Sequence, residues 1–302
     1  MRPGSAADSL SRVVAAVSIC IPAYQASRFI RYTLESVLAQ TFTDFEVVVL
    51  NNCSTDNTAA IVAGFSDPRI RLEHNDAVLP LPANWNRVVR LSRSPLVKLV
   101  CADDVIYPRN LESQVTALAA TPSAALVACR HDLIDSNGAT IYNGGGLRWL
   151  LGPRTRTEVV RAIVRHGGNP IGDPGSVLFR RKAFEAAGGF ADNQPMLGDI
   201  SLWVRLLDHG DFVGQAESLA ASRVHDASIT KRVAVEQQAV QATLIRQLAT
   251  SGQYRVRAFD RLVGAAVTPV GRFRWNHHQS KGYASAPARS RSVTERAGQS
   301  DG

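Results

Sequence analysis

The sequence is poor in cysteine, and none of its cysteines are paired. Cys20, Cys53, Cys101 and Cys129 stand 33, 48 and 28 residues apart. Without a CxxC pair, a zinc ribbon or dithiol redox site is excluded, and reduced thiols in a cytosolic protein are the expectation. No stretch reaches the roughly 18 apolar residues of a membrane span, and a signal peptide's ordered basic, apolar and cleavage regions are missing. GxGxxG after the first strand, the P-loop pattern and GxSxG are also absent, which removes a dinucleotide fingerprint and a P-loop NTPase. The 302 residues carry a formal charge of +8, but little of that excess lies in the body. Residues 272–302 alone hold six Lys/Arg against two acids. A body built to grip nucleic acid would be more lopsided, so no nucleic-acid partner is expected.

What is present is an ordinary globular composition, 45% apolar and 20% charged, arranged as alternating strands and helices. Residues 17–21 form an apolar run that is expected to stop at Pro22. A helix follows in which Phe29, Ile30, Thr33, Leu34, Val37 and Leu38 share a face. Residues 45–50 (FEVVVL), 96–101 (LVKLVC) and 124–129 read as further buried strands, with helices over 55–65, 83–91 and from Pro108. Continuous apolar strands alternating with helices predict a parallel-rich sheet covered on both faces. Ligands of such sheets bind beyond the carboxyl ends of the strands. That rule draws together Pro22-Ala23-Tyr24, Asn51-Asn52-Cys53 and Asp103-Asp104.

Asp103-Asp104 is the sharpest feature. Adjacent carboxylates after a buried strand repel each other unless a cation offsets them, and Mg²⁺ or Mn²⁺ bridging to phosphate does so. The plain alternative is a cap for the helix that follows. Asn51–Asp56 reads either as a turn with an N-cap or as amides facing a base or ribose. Asp199, after Gly188-Gly189-Phe190 and Gly198, is an N-cap or a base that the glycines let a substrate approach. His225 is a structural donor or a metal ligand. Beyond residue 132 the alternation lapses, and Gly144–Gly146 and 167–175 (GGNPIGDPG) read as loops.

In chain order these segments resemble family 2 glycosyltransferases. Residues 17–25 (VSICIPAYQ) look like the family's opening strand, and 36–46 (SVLAQTFTDFE) resemble its S-x-L-x-Q-T-x-x-x-x-E signature. Asn51–Asp56 occupies the place of Asp-Asp-Gly-Ser-Thr-Asp, and Asp103-Asp104 that of the DXD-type site. Gly188-Gly189-Phe190 with Gly198-Asp199 resembles the GGF…ED segment, and 223–229 (RVHDASI) the Arg-x-His-x-x-Ser-x that closes the catalytic region.

The resemblance implies an α/β GT-A fold, a Rossmann-like αβα sandwich, with a C-terminal helical extension. It implies inverting transfer of a sugar from a nucleoside diphosphate (UDP, dTDP or GDP) to a hydroxyl on a glycan or glycolipid acceptor. Asp199 would be the catalytic base. Asp104, with Asp103 and His225, would serve Mg²⁺ or Mn²⁺. Pro22, Ala23, Tyr24, Asn51, Asn52 and Asp103 would line the nucleotide. Trp85 and Trp203 would wall the acceptor side, unless they pack in the core. Three departures stand out: Asn51-Asn52 for a pair that usually carries Asp, Gly198 for a Glu, and Cys101 for an Asp. The alternatives are a non-catalytic sugar-nucleotide binder of the same fold and a nucleotidyltransferase.

The expected layout is a disordered leader over 1–14 and a catalytic domain over 15–232, with its nucleotide-binding half at 15–130 and acceptor-binding half at 131–232. A helical extension over 233–271 and a disordered basic tail over 272–302 complete it. Cell-envelope polysaccharide or glycolipid synthesis is the expected setting. The location would be cytoplasmic, with the basic tail touching anionic membrane at its inner face.

Overall fold

The computed structural model describes residues 14–191 and 198–284. The expected leader therefore lies outside the described residues, apart from Val14. The first half builds as the apolar pattern dictates: β1 (Val17–Ala23), α1 (Ile30–Leu38), β2 (Phe45–Asn51), α2 (Thr58–Ala63), β3 (Ile70–His74), α3 (Leu81–Leu91), β4 (Leu96–Leu99), a short β5 (Val105–Ile106) and α4 (Asn110–Ala120). β1 pairs in parallel with β2 and β4, and β2 with β3.

β1 does not stop at Pro22 but runs to Ala23. Its pairing with β4 ends at Cys20 and Leu99, while Pro22 stays in register with Leu50 of β2. Pro22 therefore lies past the point where the β4 side would need its missing N–H.

The second half contains the strand expected at 124–129 and helices where the sequence pattern predicts them, over 157–165, 181–187 and 199–208, together with four strands that the pattern leaves unread. β6 (Ala124–Ile134) is followed by β7 (Thr140–Gly145), β8 (Gly152–Arg154), α5 (Arg156–His166), β9 (Val177–Arg180), α6 (Arg181–Ala186), α7 (Gly198–Leu206) and the 13-residue β10 (Asp211–Arg223). The sheet runs β3-β2-β1-β4-β9-β6-β10-β5, with β7 on β6 and β8 on β10. β9 lies antiparallel between β4 and β6, so the sheet is mixed there.

Alternate residues of β1 enter different cores. Ile19 and Ile21 pack with Ile30 and Leu34 of α1, Val62 of α2 and Leu111 of α4. Cys20 faces Val88 and Val89 of α3, on the side that also holds Val160 and Ile163 of α5 and Trp203 of α7. This is a three-layer αβα sandwich.

Two helices close the described chain, α8 (Ile229–Thr250) and α9 (Ala258–Ala284). α9 continues well past Arg272. Residues 272–284, expected as a disordered tail, are therefore helical; residues 285–302 lie outside the described residues. α9 is anchored on α5 by Asp260, which is fully buried and accepts from Arg161 Nε (2.8 Å) and Arg165 Nε (2.5 Å). Gly264 allows the close approach, since a Cβ there would lie 2.3 Å from the Val164 carbonyl oxygen. Among the described residues no helix is long and apolar enough to cross a membrane.

Candidate active site

The chain emerging from β4 turns at once, with the Asp104 N–H donating to the Cys101 carbonyl (3.1 Å). That turn gathers the Cys101 thiol and the carboxylates of Asp103 and Asp104, whose potential ligand atoms all lie within 4.8 Å of one another. The end of β10 holds the turn in place. The Arg223 backbone N–H donates to Asp104 Oδ1 (2.9 Å), and its Nε donates to the Asp103 carbonyl (2.9 Å). Two residues on, His225 Nε2 meets Asp103 Oδ2 at 2.8 Å, and its ring lies 4.7 Å from that of Phe29. The Asp pair and His225, 122 positions apart in sequence, are thus one cluster. Asp104 is not a helix cap: its carboxylate reaches across to β10.

A carboxylate that the sequence reading passed over joins them. Asp173 stands in the loop before β9, accepts from Ser222 Oγ (2.6 Å) and lies 3.8 Å from His131 Nε2. Gly172 precedes it at φ +115°, where a Cβ would come within 2.5 Å of Ser176 Oγ. The available signal was an Asp between Gly172 and Pro174 in a stretch too rich in turn formers for a purely structural helix start.

Asp199 opens α7. Its Oδ2 accepts from Asn169 Nδ2 (3.1 Å) and its Oδ1 from the Ile200 N–H (2.8 Å). Burial, reinforced by the charge of Asp173, pushes its carboxyl up to about 7. Asp104 is also driven well above the usual carboxylate range, first by burial and then by Asp103 and Asp173. The Cys101 thiol is raised by burial and by the fields of Asp104, Asp103, Asp173 and Asp199. Asp173 thus bears on both Asp104 and Asp199, and all four acids bear on Cys101.

Such an accumulation of carboxylates fits a divalent cation, which would offset their mutual repulsion. The donor set suits Mg²⁺ or Mn²⁺ in its two carboxylates, with a thiol beside them.

Several expected contacts are corrected. The Asn52 side chain is buried and used inside the fold: Oδ1 accepts from the Leu79 N–H (2.8 Å) and Asn75 Nδ2 (2.6 Å), and Nδ2 donates to the Leu79 carbonyl (3.0 Å). Asn51 is likewise buried, its Oδ1 accepting from the Ser54 N–H (3.1 Å). Asn51 holds the turn after β2, and Asn52 ties that turn to the segment between β3 and α3, so both amides are engaged inside the fold. Trp203 is fully buried, with Nε1 donating to the Gly172 carbonyl (3.1 Å), so it supports the Asp173 loop from the core and walls no acceptor. Trp85 is half-buried against Phe190, with ring centroids 5.0 Å apart, and stands beside Gly198 at the start of α7. Pro22 and Ala23 are buried in β1, whereas Tyr24 is exposed.

A family model described as "Glycosyl transferase family 2" matches residues 18–188. An uncharacterised protein of Mycobacterium tuberculosis is 31% identical over 241 residues, covering 77% of this chain and 75% of its own. The putative glycosyltransferase EpsE of Bacillus subtilis is 27% identical over 200 residues, 64% of this chain and 67% of its own. Among solved structures, S. aureus TarS 1–349 in complex with UDP-GlcNAc superposes with a TM-score of 0.57 at 13% identity, covering 88% and 89% of the two chains. The mannosyltransferase PcManGT from Pyrobaculum calidifontis, in complex with GDP-Man and Mn²⁺, gives 0.59 at 17% identity, covering 90% and 82%. The architecture is therefore of the GT-A type. The chain belongs to glycosyltransferase family 2.

Proposed function

We propose that this protein is a metal-dependent, inverting glycosyltransferase that uses a UDP-, dTDP- or GDP-sugar and acts on a hydroxyl of a glycan or glycolipid. Its setting in this reading is the cytoplasmic face of the cell envelope, in polysaccharide or glycolipid synthesis. The carrying observation is the raised carboxyl of Asp199 together with the Asp103–Asp104 cluster, Asp199 and Asp104 both feeling the charge of Asp173. The sugar nucleotides and Mn²⁺ bound by the structural neighbours support the donor class.

In this reading Asp199 accepts the proton of the acceptor hydroxyl as the new bond forms at the anomeric carbon, in a single displacement with inversion. A carboxyl poised near neutrality is suited to that transfer. Asn169 fixes its Oδ2, so the other lone pairs keep a defined direction. Asp103 and Asp104 hold Mg²⁺ or Mn²⁺, which when bound offsets charge developing on the leaving diphosphate. His225, already on Asp103, serves that cation or a diphosphate oxygen, and Tyr24, with Pro22 and Ala23 behind it, lines the nucleotide. Residues 15–130 carry the nucleotide and 131–232 the acceptor, with Trp85 at the acceptor's edge.

Calorimetric titration with UDP, dTDP and GDP, each with Mn²⁺ and with EDTA, tests the donor and metal assignments. Metal-dependent binding of one nucleotide, lost in Asp104→Ala, is expected. Silence with all three would overturn the reading.

A further inference from the structure

α9 has two unlike faces. Asp260, Gly264 and Thr268, four residues apart, dock on α5: Asp260 meets Arg161 and Arg165, Gly264 lies against the Val164 carbonyl, and Thr268 packs against Gly167. On the other side Phe259, Leu262, Val270 and Phe273 are 63%, 69%, 59% and 75% exposed. With exposed Ala266 between them, positions 259, 262, 266, 270 and 273 fall within an arc of about 80°. Large apolar side chains scattered singly need no explanation, but a continuous exposed stripe on one helix marks a binding surface.

Charge identifies the occupant. Residues 251–284 contain six Lys/Arg and one acid, Asp260, and that acid is fully buried. Arg255, Arg257 and Arg261 are exposed at the N-terminal end of the stripe. Arg272, Arg274 and Lys281 follow on the same helix, and Arg289, Arg291 and Arg296 come after it in sequence. Among the described side chains of residues 251–284 the exposed charges are all positive, and an apolar stripe on such a helix suits the headgroup region of an anionic bilayer. A second copy of the chain would bring the same positive charge against itself.

We propose that the outer face of α9 docks on anionic phospholipid, with Phe259, Leu262, Val270 and Phe273 in the acyl boundary and the basic residues at the headgroups. This places attachment on a structured helix face rather than on a tail alone. The far end of that helix packs on a strand next to the site. The His278 ring lies tilted against Tyr142 of β7 with centroids 4.5 Å apart, Gly145 of β7 closes on His131, and His131 stands 3.8 Å from Asp173. A membrane held against α9 would bring a lipid-linked acceptor to the Asp173 side of the cleft. That last point rests on the proposed transfer reaction; the docking itself does not.

The test uses the full chain without nucleotide, floated with vesicles of phosphatidylcholine alone or mixed with phosphatidylglycerol. Binding to the mixed vesicles only, weakening as salt rises, is expected. Leu262→Ser with Phe273→Ser should weaken it by about tenfold or more. Arg255→Glu with Arg261→Glu should remove the preference for phosphatidylglycerol. All four positions are exposed, so unchanged circular dichroism and thermal midpoint confirm that the variants fold. No binding to the mixed vesicles would overturn the proposal. So would binding that ignores the stripe substitutions, or a concentration-dependent dimer in sedimentation that those substitutions abolish. Because flotation needs neither metal nor donor, its failure is separate from a failure of nucleotide binding.

Discussion

Two buried groups of acids in this molecule behave in opposite ways. At the α5–α9 junction Asp260 is completely buried, yet its carboxyl is held down at about 2: burial alone would raise it, and hydrogen bonds from Arg161, the Arg257 backbone and Arg165 more than reverse that. In the cleft, Asp199 is pushed up to about 7 and Asp104 well above its usual range, because burial is joined there by further carboxylates. The Arg223 guanidinium donates to the carbonyls of Asp103 and Asp135 rather than to their carboxylates. The junction has two cations for one acid. Among the described residues the cleft gathers four acids, Asp103, Asp104, Asp173 and Asp199, and the Arg223 guanidinium lowers Asp104 less than burial and its neighbours raise it. Structural acids come with their counter-charge built in, whereas acids that outnumber theirs are poised for a cation and a proton from outside.

The strongest way to break this contrast is Asp199→Asn. Transfer should fall by about 10³-fold, within the usual range for removing a general base, while metal-dependent nucleotide affinity is retained. A non-catalytic binder would lose nothing. Stability should move the other way. The folded pKa of about 7 lies above the ordinary 3.8, so between those values the native state binds more protons than the unfolded one. Stability contributed by Asp199 therefore declines as pH rises through that window. Asn cannot ionise, so the thermal midpoint of Asp199→Asn relative to the parent should rise between pH 5 and pH 8. An equal offset at both pH values would mean that Asp199 is a structural acid after all.

The mirror experiment is Asp260→Ala, which strands two partly buried guanidiniums and should cost about 3 kcal/mol in denaturant unfolding. Its sign with pH is opposite to that of Asp199. The folded pKa is depressed to about 2 from 3.8, so the parent's advantage is complete above pH 4 and fades as pH falls towards 2. A cost below about 1 kcal/mol at pH 7 would show that the α9 anchor lies in packing around Gly264 and Thr268 instead.

The two halves of the chain differ in how much their sequence discloses. Up to Ile134 the strands β1, β2, β4 and β6 are buried along almost their whole length and the helices keep apolar stripes, so periodicity alone locates β1 to β4 and α1 to α4 within a few residues. After that, β10 carries exposed Ala216 and Glu217 where its pairing with β6 shifts register, and β9 is only four residues long. Neither pattern survives a reading by period. The site shows the same divide. Asp103, Asp104, Asp199 and His225 sit in motifs and were legible as residue types at familiar places. That His225 bonds Asp103, and that Asn52 is taken up by Asn75 and Leu79, depends on contacts between distant segments. Asp173 was hidden because a lone Asp among glycines and prolines is a turn residue in most contexts.

Asp173 offers the finest test of the comparison, since its charge bears on both Asp104 and Asp199. Replacing it by Asn keeps a group able to accept from Ser222 Oγ while removing one negative charge. Asp199 should then release its proton more easily, and the acid limb of the activity profile, scaled to its own plateau, should move down by about half a pH unit. Ser222→Ala leaves the charge in place and should leave that limb where it is. If both variants shift it alike, the Asp173 carboxylate acts by positioning the loop at Gly172 rather than by its field. The high pKa of Asp199 would then be the work of burial alone.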